Sequence, residues 1–308
     1  MLWHIRPRIV PGALVLTLAA VVYASPGAQS PPAEPVCERG PALATVAALP
    51  EGSGVVVSRR SPGRLWAHND SGQPVLIALD GSGKVVGQVR VTGAQVEDWE
   101  ALGIGPCRAG TCLFIGDIGD NDAERRRVTI YRVPEPAGVT GSVAADALHA
   151  TYPDGPQNAE TLLVTPAGEL FIVTKGDTGR VTIYRMPPNA TPGATVTLQR
   201  VGASRPGTKS SKEARLTDGA ISPSGAWIAL RTTGAARLYP TKALLAGDWR
   251  EAAHVDLSSL REPQGEGLAF GDETTIYVVG EGGGKRRPGT LGRLTCALPL
   301  HEDPARRG

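Results

Sequence analysis

The sequence of 308 residues is poor in the residues and motifs that usually mark catalysis or nucleic-acid binding. It contains 5 His and 4 Cys, aromatic residues make up 5% of it, and its formal net charge at pH 7 is +2. A charge so close to zero, without a long Lys/Arg run, disfavours a nucleic-acid-binding surface. The sequence has no Gly-x-Ser-x-Gly elbow, no His-Glu-x-x-His segment and no Walker loop. We therefore assign no catalytic residue from the sequence.

One long apolar run is present, from Ile9 to Tyr23. It follows two arginines and precedes small residues, with cleavage expected after Ala24 or Ala28, which is typical of a secretory signal peptide. The run is shorter than the roughly 20 residues of a spanning helix, although an uncleaved anchor is the alternative. We expect a signal peptide over residues 1–28, a secreted or cell-envelope location, and no other membrane span.

Four cysteines in an exported chain are expected to form disulfides, although three pairings are formally open. Cys107 and Cys112 lie close together in a Gly-containing segment where a hairpin can join them. Cys37 and Cys296 flank the remaining sequence. The sequence therefore favours the pairs Cys107–Cys112 and Cys37–Cys296.

An internal repeat dominates the middle of the chain. The segment Val-Thr-Ile-Tyr-Arg occurs at residues 128–132 and again at 181–185. Ahead of it, apolar segments begin at a carboxylate in four copies, roughly 50 to 60 residues apart, and at a serine in a first copy. These starting residues are Ser53, Glu100, Glu160, Asp218 and Glu266. A second, a third and a more polar fourth strand are expected to follow each start, which predicts four-stranded blades.

The repeat predicts an all-β fold, a β-propeller with five blades, with six blades as the alternative. We expect a linker over residues 29–36, the propeller over 37–298 and a polar tail over 299–308. The segment from Ala42 to Leu49 has the character of a fourth strand that precedes the first copy. It should complete the blade that begins at Glu266, close the ring and bring Cys37 near Cys296. A monomer is expected.

The repeat also predicts an acidic rim. In an antiparallel blade the first strand begins at the edge where the second strand ends, so both sets of residues meet there. Carboxylates near one axis repel each other unless they are protonated, paired with a basic side chain or neutralised by a cation. Oxygen ligands suit Ca²⁺, and an exported protein meets it. We predict Glu100, Glu160, Asp218 and Glu266 as calcium ligands, and Asp70, Asp98, Asp117, Lys175, Arg231 and Glu281 as ligand-binding residues.

Two alternatives accompany this site. Polar residues at strand ends can instead bond loop backbones and hold neighbouring blades together. His68 lies near the rim and could act as a general base, but we expect a hydrogen-bonded structural histidine.

Four motifs together resemble those of a group of exported bacterial propellers, and they cover most of the chain beyond the signal segment. They are Leu-Trp-Ala-His-Asn-Asp-Ser-Gly at 65–72, Glu-Asp-Trp-Glu at 97–100, Gly-Asp-Ile-Gly-Asp-Asn at 116–121 and Gln-Gly-Glu-Gly-Leu-Ala-Phe at 264–270. More remotely, the blade starts resemble those of calcium-dependent phosphotriesterase-like, phytase-like and SdiA-regulated propellers. Those relatives usually have six blades.

The remote resemblance implies calcium in the central channel, and in some relatives hydrolysis of phosphoesters or lactones. Residue by residue it extends to Glu100, Glu160, Asp218 and Glu266 as axial ligands. The first hypothesis is thus an extracytoplasmic propeller that binds a cation, calcium, and a further ligand of unknown identity. The alternative is a calcium-dependent hydrolase of phosphoesters or lactones.

Overall fold

The computed structural model of the protein describes Met1 and residues 36–40, 43–108, 110–204, 214–284 and 286–298. The strands all belong to one unit, Glu34–Gly308. The expected signal peptide, nearly all of the expected linker and the polar tail lie outside the described residues. Within the described residues, no helix has the length and apolar character needed to cross a membrane.

Strands make up nearly all the regular secondary structure of the described chain, and they form five sheets. The first two strands are β1 (Val36–Arg39) and β2 (Ala44–Val46). Blade one contains β3 (Gly52–Val57), β4 (Arg64–Asn69), β5 (Val75–Asp80) and β6 (Val85–Thr92). Blade two contains β7 (Trp99–Cys107), β8 (Gly110–Asp117), β9 (Val128–Pro134) and β11 (Asp146–Thr151), with β10 (Thr140–Ala144) between the last two in sequence.

The second half of the chain repeats this plan. Blade three contains β12 (Ala159–Val164), β13 (Leu170–Thr174), β14 (Thr182–Arg185) and β16 (Gln199–Ala203), with β15 (Thr195–Thr197) between the last two. Blade four contains β17 (Leu216–Ile221), β18 (Trp227–Thr232), β19 (Ala235–Pro240) and β20 (Ala253–Asp256), with the short helix α1 (Thr241–Leu245) after β19. Blade five contains β21 (Gln264–Phe270), β22 (Thr275–Glu281) and β23 (Gly289–Ala297).

The first strands of the five sheets surround one axis. Strands β3, β7, β12, β17 and β21 contact each other in that order, and β21 contacts β3 again. The ring thus closes after five blades, and the predicted five-bladed propeller is confirmed over the six-bladed alternative. Buried apolar side chains fill the space between neighbouring blades, as Trp66 and Trp99 do between blades one and two.

Blade five joins the first and the last of the described strands. Strand β1 pairs antiparallel with β23, so that Cys37 lies opposite Cys296, and these two cysteines form a disulfide. The predicted closure and both predicted disulfides are confirmed, since Cys107 and Cys112 are also bonded. The expected single strand from Ala42 to Leu49 is wrong in its bounds. Two strands, β1 and β2, share the edge of β23, and Gly40 between them lies against the carbonyl of Arg293.

Two blades carry a fifth strand that the repeat did not predict. In blade two the connection from β9 to β11 crosses back to blade one, where β10 pairs parallel with β6. In blade three β15 likewise pairs parallel with β11 of blade two. These strands satisfy backbone groups at outer edges that would otherwise be open to other chains.

Candidate functional site

Each first strand is interrupted by a β-bulge near its beginning. The pairing register shifts at Ser53-Gly54, Glu100, Glu160, Thr217 and Glu266-Gly267. A bulge turns side chains away from the regular alternation of a strand and is common beside functional sites. The five bulges occupy one structural position in the repeat, so the residues there can be compared directly.

Blade four differs from the sequence alignment by one residue. Thr217, and not Asp218, occupies the bulge position that the glutamates hold elsewhere. The alignment placed Asp218 there because its charge matched, whereas register is decided by strand pairing. Asp218 is 1% exposed, and its carboxylate accepts a hydrogen bond from the backbone N–H of Leu268 at 2.7 Å. It therefore links blades four and five, which is the alternative foreseen for polar strand ends; its role as a calcium ligand stays a prediction.

Three glutamates and one lysine form the centre of the rim. Glu100, Glu160 and Glu266 are 8%, 2% and 7% exposed. The Lys175 ammonium forms an ion pair with the carboxylate of Glu160, and Glu160 also shares a side-chain hydrogen bond with Glu100. The three glutamates come from the first strands of blades two, three and five, and Lys175 directly follows the second strand of blade three. The closed ring therefore brings together residues far apart in sequence.

Burial and nearby charges together shift the pKa values of these groups. Burial and then repulsion from Glu160 raise the pKa of Glu100 well above its usual value. Burial raises the pKa of Glu266 to about 8, again with a contribution from Glu160. Burial also raises the pKa of Glu160, although the attraction of Lys175 opposes it. Burial alone would lower the pKa of Lys175, but Glu160, Glu100 and Glu266 outweigh it and the net shift is upward.

Two further predicted residues belong to this cluster. Asp98 shares a side-chain hydrogen bond with Glu100, and burial raises its pKa. Glu281 ends β22, and burial, then repulsion from Asp70, raises its pKa to about 7. The rim therefore contains several carboxylates whose charged forms are disfavoured together.

Asp117 lies at the edge of the cluster and is held by an arginine that sequence reasoning passed over. The Arg125 guanidinium contacts the Asp117 carboxylate at 3.0 Å and donates to the carbonyl of Gly119 at 2.7 Å. Asp117 also accepts a hydrogen bond from the backbone N–H of Asp98 at 3.1 Å. Arg125 is the first of three consecutive arginines in the sequence, and only the path of the loop shows that it turns inward.

The Arg231 side chain is buried and is not exposed at the acidic rim. Its side chain is 0% exposed, forms an ion pair with Glu262, and donates to the carbonyls of Gly267 at 2.5 Å and Val279 at 3.0 Å. The predicted ligand-binding cation of blade four is thus engaged within the protein. Its role in ligand binding stays a prediction, as do those of Asp70 and Asp117.

His68 holds the same position in blade one that Arg231 holds in blade four. It is fully buried, its ring packs edge-on against Trp99, and its Nδ1 lies 3.1 Å from the carbonyl oxygen of Asn69. Burial lowers its pKa to about 4. These contacts agree with a structural histidine.

Hydroxyl groups at the two remaining bulges hold the glutamates of the next blade. Ser53 donates from Oγ to the carbonyl oxygen of Glu100 at 2.7 Å and lies 3.2 Å from its carboxylate. Thr217 donates to the carbonyl oxygen of Glu266 at 3.0 Å, and Gln264 donates to the Glu266 carboxylate at 2.7 Å. Sequence reasoning gave Thr217 no role, because a threonine beside an aspartate carries no signal of its own.

The side chains of the rim supply the oxygen ligands that calcium prefers, but their arrangement does not form a coordination site. Among the described residues, no group of three or more His, Cys, Asp or Glu side chains is placed to hold a metal ion. The Lys175 ammonium occupies the place beside Glu160 that a cation would take. A bound Ca²⁺ would therefore require displacement of Lys175 and loss of protons from the glutamates.

Comparison with known proteins adds to the fold and leaves the activity open. No family model matches the chain, and no curated protein sequence matches it. Among solved structures, the chain is similar to the PQQ-bound form of aldose sugar dehydrogenase from Streptomyces coelicolor, with a TM-score of 0.53 and 13% identity over 87% of this chain and 100% of that one. At this identity the likeness shows the fold alone. The protein is a β-propeller of five blades, and the particular propeller families that its motifs resemble are not established by these comparisons.

Proposed function

We propose that the protein is an extracytoplasmic binding propeller that takes a cation, Ca²⁺ by ligand chemistry, at its acidic rim. The observation that carries the proposal is the convergence of Glu100, Glu160 and Glu266 around the single ammonium of Lys175. Three buried carboxylates and one cation leave negative charge that is relieved in the free protein by protonation. A divalent cation would relieve it at a pH where the protons are lost.

Calcium fits the ligand types of this rim better than a transition metal does. It accepts six to eight oxygen ligands in irregular geometry, whereas a transition metal favours imidazole or thiolate. The rim supplies carboxylates and the amide of Gln264, while His68 lies buried and the cysteines are bonded. The two disulfides support the extracytoplasmic location, since such bonds persist in oxidising compartments.

Lys175 has a defined part in this proposal. As the internal counter-ion of Glu160, it competes with any incoming cation for the same carboxylate. A Lys175→Met variant should therefore bind Ca²⁺ more tightly than the wild type, by about tenfold if one charge contact is exchanged. A further ligand could bind beside the cation, with Asp98 and Glu281 as the nearest groups.

The alternative, a calcium-dependent hydrolase of phosphoesters or lactones, has less support. Phosphate binding favours several basic side chains, and of the two predicted at the rim Arg231 is engaged with Glu262. The negative charge of the rim also argues against PQQ, the ligand named for the structural neighbour, because PQQ carries carboxylates that an acidic rim would repel.

Thermal unfolding at pH 8 tests the cation proposal. We expect Ca²⁺ to raise the Tm relative to EDTA, because a ligand that binds only the folded state stabilises it. Glu160→Gln should abolish that shift. Glu251→Gln, which changes an exposed carboxylate beside Arg237 on blade four, should retain it. An identical wild-type Tm in EDTA and in millimolar Ca²⁺ would contradict the proposal.

Catalysis is tested separately with a panel of phosphate esters and lactones. The binding proposal predicts no turnover by the calcium-loaded wild type. Turnover that disappears in Glu160→Gln and persists in Glu251→Gln would instead establish the hydrolase alternative.

A further inference from the structure

A cavity lies at the end of the central channel that is opposite the acidic rim. It has a volume of about 320 Å³ and is lined by the later residues of the first strands of all five blades. Its walls are mainly aliphatic and aromatic, and include Leu102, Leu162, Val164 and Phe270. Small-molecule sites are concave, mostly apolar and roughly 300 to 1,000 Å³ in volume, so this cavity falls at the lower end of that range.

The mouth of the cavity carries positive charge. Ser58 and Arg59 line it, directly after β3, and Arg60 follows. The Arg59 guanidinium donates one hydrogen bond, to the carbonyl oxygen of Ile104 at 3.3 Å. Since a guanidinium has five N–H donors, it retains capacity for a ligand.

One buried carboxylate balances part of that charge. Glu135 accepts hydrogen bonds from Ser58 at 2.5 Å and from the backbone N–H of Arg60 at 3.4 Å. Among the described residues that line the cavity, Arg59 is the only charged one, so the lining itself carries positive charge. Burial of part of the Arg59 side chain lowers its pKa more than the attraction of Glu135 raises it, although the residue as a whole is exposed.

We propose that this cavity is a binding site for a small apolar molecule that carries one anionic group, such as a medium-chain carboxylate. The apolar part lies among the aliphatic walls, and the anionic group accepts hydrogen bonds from Arg59 at the mouth. The volume suits a ligand of about ten non-hydrogen atoms. The site is independent of the acidic rim, because its residues are at the other ends of the strands.

The test uses three probes of equal chain length, namely octanoate, 1-octanol and octylammonium, with the full-length protein in EDTA. Octanoate should bind most tightly by calorimetry and raise the Tm by about 3 °C at ten times its Kd. Octanol should bind more weakly, and octylammonium should not bind at this site. The result should be the same in Glu160→Gln, so that failure of this proposal is distinct from failure of the cation proposal.

Two variants and one matched control locate the binding. Ala220→Phe fills the cavity and should abolish octanoate binding. Arg59→Gln keeps the walls and should weaken octanoate about tenfold while octanol is unchanged. Ala190→Phe fills a different cavity, of about 260 Å³ between blades two and three, and should have no effect.

Several outcomes would overturn the proposal. They are no binding of octanoate at millimolar concentration, equal binding in Ala220→Phe, and equal binding of octanoate and octanol in the wild type. Arg59 is exposed and its substitution should not disturb folding. The charge preference therefore remains testable even if Ala220→Phe fails to fold.

Discussion

The same bulge position serves two purposes in different blades. In blades two, three and five it holds Glu100, Glu160 and Glu266, whose carboxylates crowd together near the axis. In blades one and four it holds Ser53 and Thr217, whose hydroxyls bond the backbone carbonyls of the next blade's glutamate. Blades one and four, called here the hydroxyl blades, therefore position the glutamates of blades two and five. Blades two, three and five are called the glutamate blades.

This difference shows that a repeat fixes where a side chain projects but not what it does there. A short hydroxyl side chain can reach the neighbouring backbone, while a longer carboxylate extends past it to the other carboxylates. The cations of blades three and four differ in position as well as in role, because Arg231 lies two repeat positions before Lys175. Lys175 reaches the rim, whereas Arg231 is retained inside with Glu262.

The largest loss of stability is expected from removing the disulfide that closes the ring of five blades. The disulfide Cys37–Cys296 spans 259 residues, and Cys107–Cys112 spans 5. In the chain-entropy account the first stabilises by roughly 5.5 kcal/mol and the second by roughly 2 kcal/mol. Denaturant unfolding of the two paired Cys→Ser variants measures this, and equal losses would show that closure does not depend on the long link.

The next largest loss of stability is expected when Arg231, which is buried in blade four, loses its counter-ion. Glu262→Gln leaves the Arg231 guanidinium buried without its counter-ion and should cost about 3 to 5 kcal/mol. Glu251→Gln, at the exposed Arg237 pair in the same blade, should cost less than about 1 kcal/mol. Urea unfolding compares them, and a small loss in Glu262→Gln would mean that Arg231 can turn toward the rim.

Converting a hydroxyl blade into a glutamate blade sharpens the comparison directly. Thr217→Glu would add a carboxylate to the crowded set and remove the bond to the Glu266 carbonyl. We expect a loss of about 2 to 4 kcal/mol at pH 8. Thr217→Gln controls for size, and the difference between the two variants should shrink at pH 5. If the difference is the same at both pH values, charge is not its cause.

The pH dependence of stability tests the glutamate blades. The folded pKa of Glu266 is about 8 and that of Glu281 about 7, both above their usual value, so the folded state binds more protons than the unfolded state. Stability should therefore fall as pH rises from about 4.5 to 8, by at most about 1.4 kcal/mol per pH unit for each group. Glu266→Gln should flatten this slope in EDTA, whereas a slope that rises with pH would contradict the assignment.

The smallest effect is expected from the hydroxyl blades themselves. Ser53→Ala and Thr217→Val each remove one buried hydrogen bond to a backbone carbonyl and should cost about 1 kcal/mol. Because these bonds position Glu100 and Glu266, both variants should also weaken Ca²⁺ binding if the cation proposal holds. Ser82→Ala, in an exposed turn, is the control and should change neither quantity.

The candidate site was only partly predictable, and blade four shows why. Charge in the repeat selected Glu100, Glu160 and Glu266, and these three share one bulge position in blades that close into a ring. The same criterion selected Asp218 and Arg231, but strand pairing puts Thr217 at the bulge and buries Arg231 against Glu262. Register is set by backbone pairing and packing, and a shift of one residue changes which face a side chain takes.

From the sequence alone it was possible to predict five blades, with six as the alternative, the four-stranded plan of each blade, the closure through both ends and the favoured pairing of the four cysteines. Those features follow from a repeat, because each copy specifies one local unit that must pack against the next. The bulges, the parallel strands β10 and β15, the inward turn of Arg125 and the apolar cavity with Arg59 at its mouth become visible only in the folded protein. These depend on contacts between different blades, and such contacts exist only once the ring has closed.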